Sequence, residues 1–142
     1  MDNRSILLVE DNPDDEELAC RAFQENHVTN PVIVARDGQV AMDLLKVPGS
    51  ELPAIVLLDL KLPKAGGLQV LKAIREDPRT KLVPVVILTS SRQDSDLITA
   101  YALGCNNYIR KPINFNEFVE VIGTLARYWL QFNEPQPAGG GG

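Results

Sequence analysis

Residues 6–23 read ILLVEDNPDDEELACRAF, and the pattern of apolar residues changes in the middle of this stretch. Ile6–Val9 form a continuous apolar run, which is typical of a strand buried on both faces. Between residues 18 and 23 the apolar residues recur at the spacing of one helix face. Asn12 and Pro13 supply a helix N-cap and a proline at the first helical position. The stretch therefore predicts a strand followed directly by a helix.

The same strand–helix unit recurs along the rest of the chain. The further apolar runs are Val32–Ala35, Ile55–Leu58, Val85–Leu88 and a weaker Asn107–Arg110. A stretch with helical spacing follows each of them, with Asp37 and Asn114 as candidate N-caps and Gly104 closing the fourth helix. Five strands alternating with five helices predict a doubly wound α/β fold, in which helices cover both faces of a parallel sheet.

Length and composition predict one globular domain. The chain has 142 residues, of which 44% are hydrophobic and 23% charged, and this average composition excludes a disordered chain. We expect a domain over residues 1–132 and a flexible Pro/Gly-rich tail over 133–142, with no segment after Leu130 able to bind DNA. The net charge of -5 argues against nucleic-acid binding.

No apolar run is long enough to span a bilayer and no export signal is evident, so neither membrane attachment nor secretion is expected. Two cysteines favour a reduced, cytoplasmic setting.

Polar residues stand where the predicted strands end, which is where open parallel sheets bind ligands. Glu10 and Asp11 follow the first strand, and Asp59 follows the third. Thr89 follows the fourth apolar run, and Lys111 follows the fifth strand. Three carboxylates brought together repel one another unless a cation is present, and oxygen ligands of this kind suit Mg²⁺. These residues predict a magnesium site at one edge of the sheet.

Asp59 emerges directly from a buried strand, where an unpaired carboxylate is costly. A carboxylate beside Mg²⁺ is a competent nucleophile toward phosphorus and would form an acyl phosphate. Lys111 would neutralise charge on the phosphoryl oxygens, and the Thr89 hydroxyl could donate a hydrogen bond to one of them. The acidic residues 14–17 are interpreted differently, as first-turn acids that favour the helix dipole.

The order and spacing of the motifs resemble the receiver domain of two-component response regulators. The motifs are Glu10-Asp11, LLDLKLP at 57–63 with Gly66-Gly67, Leu88-Thr89-Ser90 and YIRKP at 108–112. The resemblance extends from about Ser5 to Arg127. It implies a flavodoxin-like five-stranded sheet of order 2-1-3-4-5. It also implies that Asp59 accepts a phosphoryl group from a sensor histidine kinase in a phosphorelay.

The resemblance also implies roles for the other residues of the site. The implied magnesium ligands are Glu10, Asp11, Asp59 and the backbone carbonyl of Lys61. Thr89 and Tyr108 fall on the switch positions of the family. Lys111 falls on its phosphate-contacting lysine, which is often followed by a cis proline, here Pro112.

A narrower resemblance concerns the two ends of the domain. Residues 8–15 and 128–130 are similar to those of the small stand-alone regulators paired with bacterial phytochromes. This implies a protein that signals through phosphorylation-switched protein contacts. It would not be an enzyme with a separate substrate, because it would catalyse only its own phosphoryl transfer and autodephosphorylation.

The last helix carries more apolar residues than its core-facing stripe requires, a stripe that Phe118, Ile122, Leu125 and Trp129 can form. The additional face, extended by residues of the fourth helix, comprises Leu97, Tyr101, Val121, Leu125, Tyr128 and Phe132. An exposed apolar stripe favours a partner surface. The family resemblance predicts a homodimer through the fourth helix, the fifth strand and the fifth helix.

Three alternative functions agree less well with the sequence. A Mg²⁺-dependent phosphohydrolase of the haloacid-dehalogenase type would also use an aspartyl nucleophile, but it needs a second acid where this chain has Lys61. A flavin-binding electron carrier would need a hydroxyl-rich phosphate loop after the first strand, where residues 10–17 are mostly acidic. A receiver-like module that is never phosphorylated is disfavoured, because no expected site residue is missing.

Overall fold

The computed structural model describes residues 3–111 and 114–134. Its strands are β1 (Ile6–Val9), β2 (Val32–Ala35), β3 (Ile55–Leu58), β4 (Val85–Thr89) and β5 (Asn107–Arg110). Its helices are α1 (Pro13–Glu25), α2 (Gly38–Leu45), α3 (Gly67–Glu76), α4 (Asp94–Leu103) and α5 (Phe115–Ala126), and a π-helical segment, Arg127–Phe132, continues α5. All strands are parallel and lie in the order β2-β1-β3-β4-β5. The predicted doubly wound fold and strand order are confirmed.

The register of the central strands brings their carboxyl ends to the same level. Val9 lies opposite both Ala35 and Leu58. The Asp59 amide donates to the Val9 carbonyl at 3.1 Å. The residues that follow β1 and β3 therefore emerge side by side at one edge of the sheet.

Alternate residues of each central strand enter different cores. Ile6 and Leu8 pack in the core that contains residues of α1 and α5, whereas Leu7 and Val9 pack in the core beneath α2 and α3. Because side chains alternate across a sheet, a strand covered on both faces needs an apolar residue at every position. This accounts for the continuous apolar runs in the sequence.

Local capping sets the predicted helix boundaries. The side chain of Asn12 accepts a hydrogen bond from the Asp14 amide at 2.9 Å, and Asp37 accepts one from Val40 at 2.8 Å. Asn114 caps α5 in the same way. Gly104 ends α4 with a φ of 101°, a left-handed conformation that favours glycine. The cap predictions are confirmed.

The buried face of α5 corrects one member of the predicted partner surface. Leu125 is only 9% exposed and belongs to the core, so it does not contribute to an exposed stripe. In the π-helical segment each turn holds more residues than an α-helical turn. Continued α-helical spacing predicts Trp129 as the next core residue after Leu125. Because the turn is wider, Leu130 takes that place in the core and Trp129 is half-buried.

Two predictions concern residues that the structure covers only in part or not at all. Pro112 lies outside the described residues, as does the predicted tail except for positions 133 and 134. Within the described ranges, none of the helices combines the length and apolar character needed to cross a membrane.

Candidate functional site

Three carboxylates predicted to meet at the edge of the sheet do so. Oxygen atoms of Glu10, Asp11 and Asp59 all lie within 4.8 Å of one another. Glu10 and Asp59 are buried, with 4% and 6% of their surface exposed, while Asp11 is open to solvent. Oxygen donors grouped in this way suit a hard divalent cation such as Mg²⁺.

Lys111 pairs with two of these three carboxylates. Its Nζ atom contacts Glu10 Oε1 at 2.6 Å and Asp59 Oδ2 at 3.1 Å. It also contacts Asp15 Oδ2 at 2.8 Å. An ammonium group has three N–H donors, so these three carboxylates account for all of them.

Burial, hydrogen bonds and neighbouring charges shift the pKa values of two members of the site. Burial raises the pKa of Glu10 to about 7; the hydrogen bond and charge of Lys111 oppose this shift, and the charge of Asp59 adds to it. Burial alone would lower the pKa of Lys111, but its bonds to Asp15 and Glu10 and the charge of Asp59 raise it above its usual value. The lysine therefore stays charged, whereas Glu10 binds a proton readily when no cation is present.

Lys61 lies at the margin of the site. Its side chain is exposed, and its backbone amide donates to Asp59 Oδ1 at 3.2 Å. The amide thus fixes one oxygen of Asp59 while Lys111 binds the other. The predicted role of the Lys61 carbonyl as a metal ligand stays a prediction.

Thr89 and Tyr108, the predicted switch residues, lie on neighbouring strands. Thr89 is fully buried, and its hydroxyl accepts a hydrogen bond from the Ser91 amide at 3.2 Å. Tyr108 lies opposite Ile87, and burial raises the pKa of its hydroxyl. That hydroxyl is enclosed without a hydrogen-bond partner in the described part of the chain. The Ser91 side chain is the neighbouring polar group, and it opposes the effect of burial on the pKa of this hydroxyl.

Asp15 belongs to this site, although the sequence does not distinguish it from its acidic neighbours. The acids at 14–17 are all interpreted as helix-dipole residues, yet Asp15 binds Lys111 and Glu16 pairs with Arg36 at 3.0 Å. Proximity to Glu10 along the chain is the signal available, and it applies equally to Asp14. The orientation of α1 distinguishes the two acids, because it turns Asp15 toward Lys111 and leaves Asp14 exposed.

The predicted partner surface is partly exposed. Tyr101 and Tyr128 are about half exposed, and Phe132 is 75% exposed. Leu97 and Val121 are only half-buried. Ile98, which the sequence does not distinguish from the other apolar residues of α4, follows Leu97 on that helix and is 65% exposed.

Comparison with known proteins agrees with this geometry. The family model of the response regulator receiver domain matches residues 6–123. The probable methanogenesis regulatory protein FilR2 of Methanothrix harundinacea is 42% identical over 137 residues, which cover 94% of this chain and 88% of that protein. Response regulator Rcp1 of Synechocystis is 36% identical over 130 residues, covering 89% of this chain and 88% of that protein.

Solved structures show the same relationship. The phosphorylated cyanobacterial phytochrome response regulator RcpA has a TM-score of 0.87 and 34% identity, covering 94% of this chain and 98% of that one. The Mn²⁺-bound form of Rcp1 has a TM-score of 0.85 and 34% identity, covering 93% and 98%. The bacteriophytochrome response regulator AtBRR has a TM-score of 0.73 and 46% identity, covering 94% and 100%. With its fold, its acidic cluster and its sequence all matching, the chain belongs to the response regulator receiver domain family.

Proposed function

We propose that Asp59 is the phosphoacceptor of this receiver domain and that a sensor histidine kinase is its donor. One observation carries the proposal: the buried Asp59 carboxylate is held by Lys111 and by the Lys61 amide, beside Glu10 and Asp11. Burial of such a group is costly unless it is paired, and pairing of this kind is typical of functional sites.

The transfer moves one phosphoryl group. A carboxylate oxygen of Asp59 forms a bond to phosphorus, the bond between phosphorus and the donor's histidine nitrogen breaks, and that nitrogen keeps the electron pair. Lys111 neutralises charge on the phosphoryl oxygens, and the Thr89 hydroxyl donates a hydrogen bond to one of them. The receiver domain then signals because Thr89 and Tyr108 change arrangement together.

Magnesium is the cation that this site fits. Glu10, Asp11 and Asp59 would hold it together with the Lys61 carbonyl, and it would supply positive charge to the phosphoryl oxygens. The grouped carboxylates support this proposal, as does the Mn²⁺-bound form of the similar protein Rcp1.

A bacteriophytochrome is the kinase that we propose as partner. RcpA, AtBRR and RtBRR, which are 34%, 46% and 42% identical to this chain, are all phytochrome response regulators. We also propose that the signal leaves through protein contacts, without nucleic acid or membrane. The match covers 88% of the length of FilR2 and of Rcp1, so both relatives are similar in size to this chain, which supports the proposal.

The remaining features of the proposal follow from the surface and composition. A homodimer would use α4, β5 and α5, where Tyr101, Tyr128 and Phe132 are exposed. The receiver domain would span residues 1–132 and the tail 133–142. The free thiols of Cys20 and Cys105 suit a cytoplasmic protein. Catalysis would be limited to the domain's own phosphorylation and dephosphorylation, because Lys61 replaces the second acid of a phosphohydrolase.

Acetyl phosphate with Mg²⁺ tests the phosphoacceptor. Mass spectrometry should find a single phosphoryl group on Asp59, and Asp59→Asn should abolish labelling because the nucleophile is gone. Asp43→Asn, which changes an exposed carboxylate of α2, is the matched control and should label normally. Stoichiometric labelling of Asp59→Asn at another residue would contradict the assignment. Turnover of a small phosphate ester by the parent chain would favour the phosphohydrolase instead.

A further inference from the structure

Asp15 contacts Lys111 from outside the group of carboxylates that could bind a cation. Its Oδ2 atom lies 2.8 Å from Lys111 Nζ, closer than Asp59 Oδ2 at 3.1 Å. The metal-site geometry includes Glu10, Asp11 and Asp59, whose oxygens approach one another within 4.8 Å, and it does not include Asp15. Asp15 is therefore bound to the lysine but is separate from the cation's donors.

The position of Asp15 is fixed independently of the sheet edge. It lies in the first turn of α1, where its amide and that of Asp14 donate to the Asn12 side chain. The Glu16 amide donates to the Asn12 carbonyl at 2.9 Å, which closes the turn. The Asp15 side chain is 31% exposed, whereas that of Lys111 is 10% exposed. The capped first turn of α1 thus presents a carboxylate to a nearly buried ammonium.

A bound cation would change the partners of Lys111. It would draw on the carboxylates of Glu10 and Asp59, two of the three that hold the ammonium, and its charge would repel the ammonium at short range. Asp15 is the remaining partner among the three contacts in the structure. Without it, the lysine would lose the carboxylate that opposes this repulsion.

We propose that Asp15 is a positioning residue, which keeps the Lys111 ammonium at the phosphoryl site when the carboxylates of Glu10 and Asp59 are engaged by a divalent cation. This inference rests on the proposed function of Asp59. It assigns no chemistry to Asp15 itself, since Asp15 acts only through Lys111.

The kinetic test compares two neighbouring acids. Asp15→Asn should slow phosphorylation by acetyl phosphate in saturating Mg²⁺ by about three- to tenfold, the size expected for a partly exposed charge-assisted bond. Asp14→Asn is the matched control, because it removes the same charge from the same helix turn and its side chain is exposed. It should label at the parent rate. Asp15→Glu keeps the charge and should restore at least half of the lost rate.

A spectroscopic test reports on the lysine without phosphorylation. A lysine ammonium gives a ¹H–¹⁵N cross-peak when hydrogen bonds slow its exchange with water, and Lys111→Arg identifies the peak. Addition of Mg²⁺ should leave the Lys111 peak of the parent and of Asp14→Asn in place and should broaden that of Asp15→Asn beyond detection.

The two readouts separate this inference from the proposed function. An Asp15→Asn variant that matches Asp14→Asn in both labelling rate and Mg²⁺-loaded Lys111 peak would overturn the role of Asp15. A parent chain that takes no phosphoryl group would contradict the proposed function. In that case the Lys111 peak alone decides whether Asp15 holds the lysine.

Discussion

Among the described residues, Lys111 is the cation that pairs with the carboxylates of the acidic site. The carboxylates around it are those of Glu10, Asp11, Asp15 and Asp59. One ammonium cannot neutralise four carboxylates, and a bound proton or metal cation would relieve the remaining repulsion. Burial, which raises the pKa of Glu10 to about 7, favours the first of these responses.

The pKa of Glu10 leads to a prediction about stability. It rises from the ordinary glutamate value of 4.5 to about 7 in the folded protein, so between these values the folded state binds more protons than the unfolded state. The contribution of Glu10 to the free energy of unfolding is therefore present at low pH and is lost as the pH rises from about 4.5 to 7. Without metal, the parent should lose stability relative to Glu10→Gln between about pH 5 and 7.5.

Urea denaturation in the presence of a chelator measures this difference. Addition of Mg²⁺ should reverse the trend in the parent, because a cation competes with the proton for Glu10 and binds better as the pH rises. A parent and a Glu10→Gln variant with parallel pH profiles would show that Glu10 titrates at its ordinary pKa.

In the C-terminal helix, the spacing of the core-facing side chains changes where the α-helix gives way to the π-helical segment. Phe118, Ile122 and Leu125 follow α-helical spacing into the core. The π-helical segment then places Leu130 in the core, 5% exposed, and leaves Phe132 75% exposed. The indole N–H of Trp129 donates to the Asn107 side chain at 3.2 Å, which ties the segment to β5.

The different burial of Leu130 and Phe132 predicts unequal effects when each side chain is replaced by alanine. Leu130→Ala should lower the free energy of unfolding by about 2–5 kcal/mol, because it leaves a cavity in the core. Phe132→Ala should change it by no more than about 0.5 kcal/mol, because the ring is exposed. Thermal and urea denaturation of the monomer measure both values. An equal decrease in the free energy of unfolding of the two variants would contradict the burial of Leu130 and the exposure of Phe132.

A second element, the turn into α3, shapes the site through a glycine. A Cβ atom at Gly67 would overlap the Asp59 carbonyl and the Leu60 backbone. The pair Gly66-Gly67 marks a turn in the sequence, but its role in the close approach of α3 to the Asp59 backbone is visible only in the fold.

At the scale of the whole molecule, the exposed apolar residues of α4 and the C-terminal segment form the proposed dimer surface. Ile98, Tyr101, Tyr128 and Phe132 are each more than half exposed. Tyr101 packs near the switch residue Tyr108, with ring centroids 6.5 Å apart. A surface in contact with the switch residue could couple phosphorylation to association, provided that the two switch states differ in their contacts there.

Tyr128→Asp tests this surface. A charge at the centre of an apolar interface should convert the dimer to a monomer in light scattering, without changing the circular dichroism spectrum, because Tyr128 is half exposed in the monomer. Leu44→Asp on α2, which is 40% exposed and lies toward the opposite edge of the sheet, is the matched control and should keep the parent mass. A parent that is monomeric at tens of micromolar, with and without a phosphoryl mimic, would rule the interface out.

The fold class was predictable from sequence because its determinants are local or periodic. Continuous apolar runs indicate strands covered on both faces, as the two cores flanking β1 show. Caps such as Asn12 and Asp37 act within three residues of themselves. The meeting of Glu10 with Asp59 was also predictable, because residues that follow adjacent parallel strands emerge at one edge.

Tertiary structure decided which of two adjacent acids reaches Lys111 and which apolar residues of the last helix are buried. Asp14 and Asp15 are equivalent in composition and charge, both donate their amides to the same cap, and they differ in the direction that α1 gives each side chain. Leu125 is a core residue because α5 turns it toward the sheet, and Leu130 is one because the helix widens after Ala126. Both outcomes depend on how a helix is rotated against a distant part of the chain, and the energy of that packing is not contained in any local stretch of sequence.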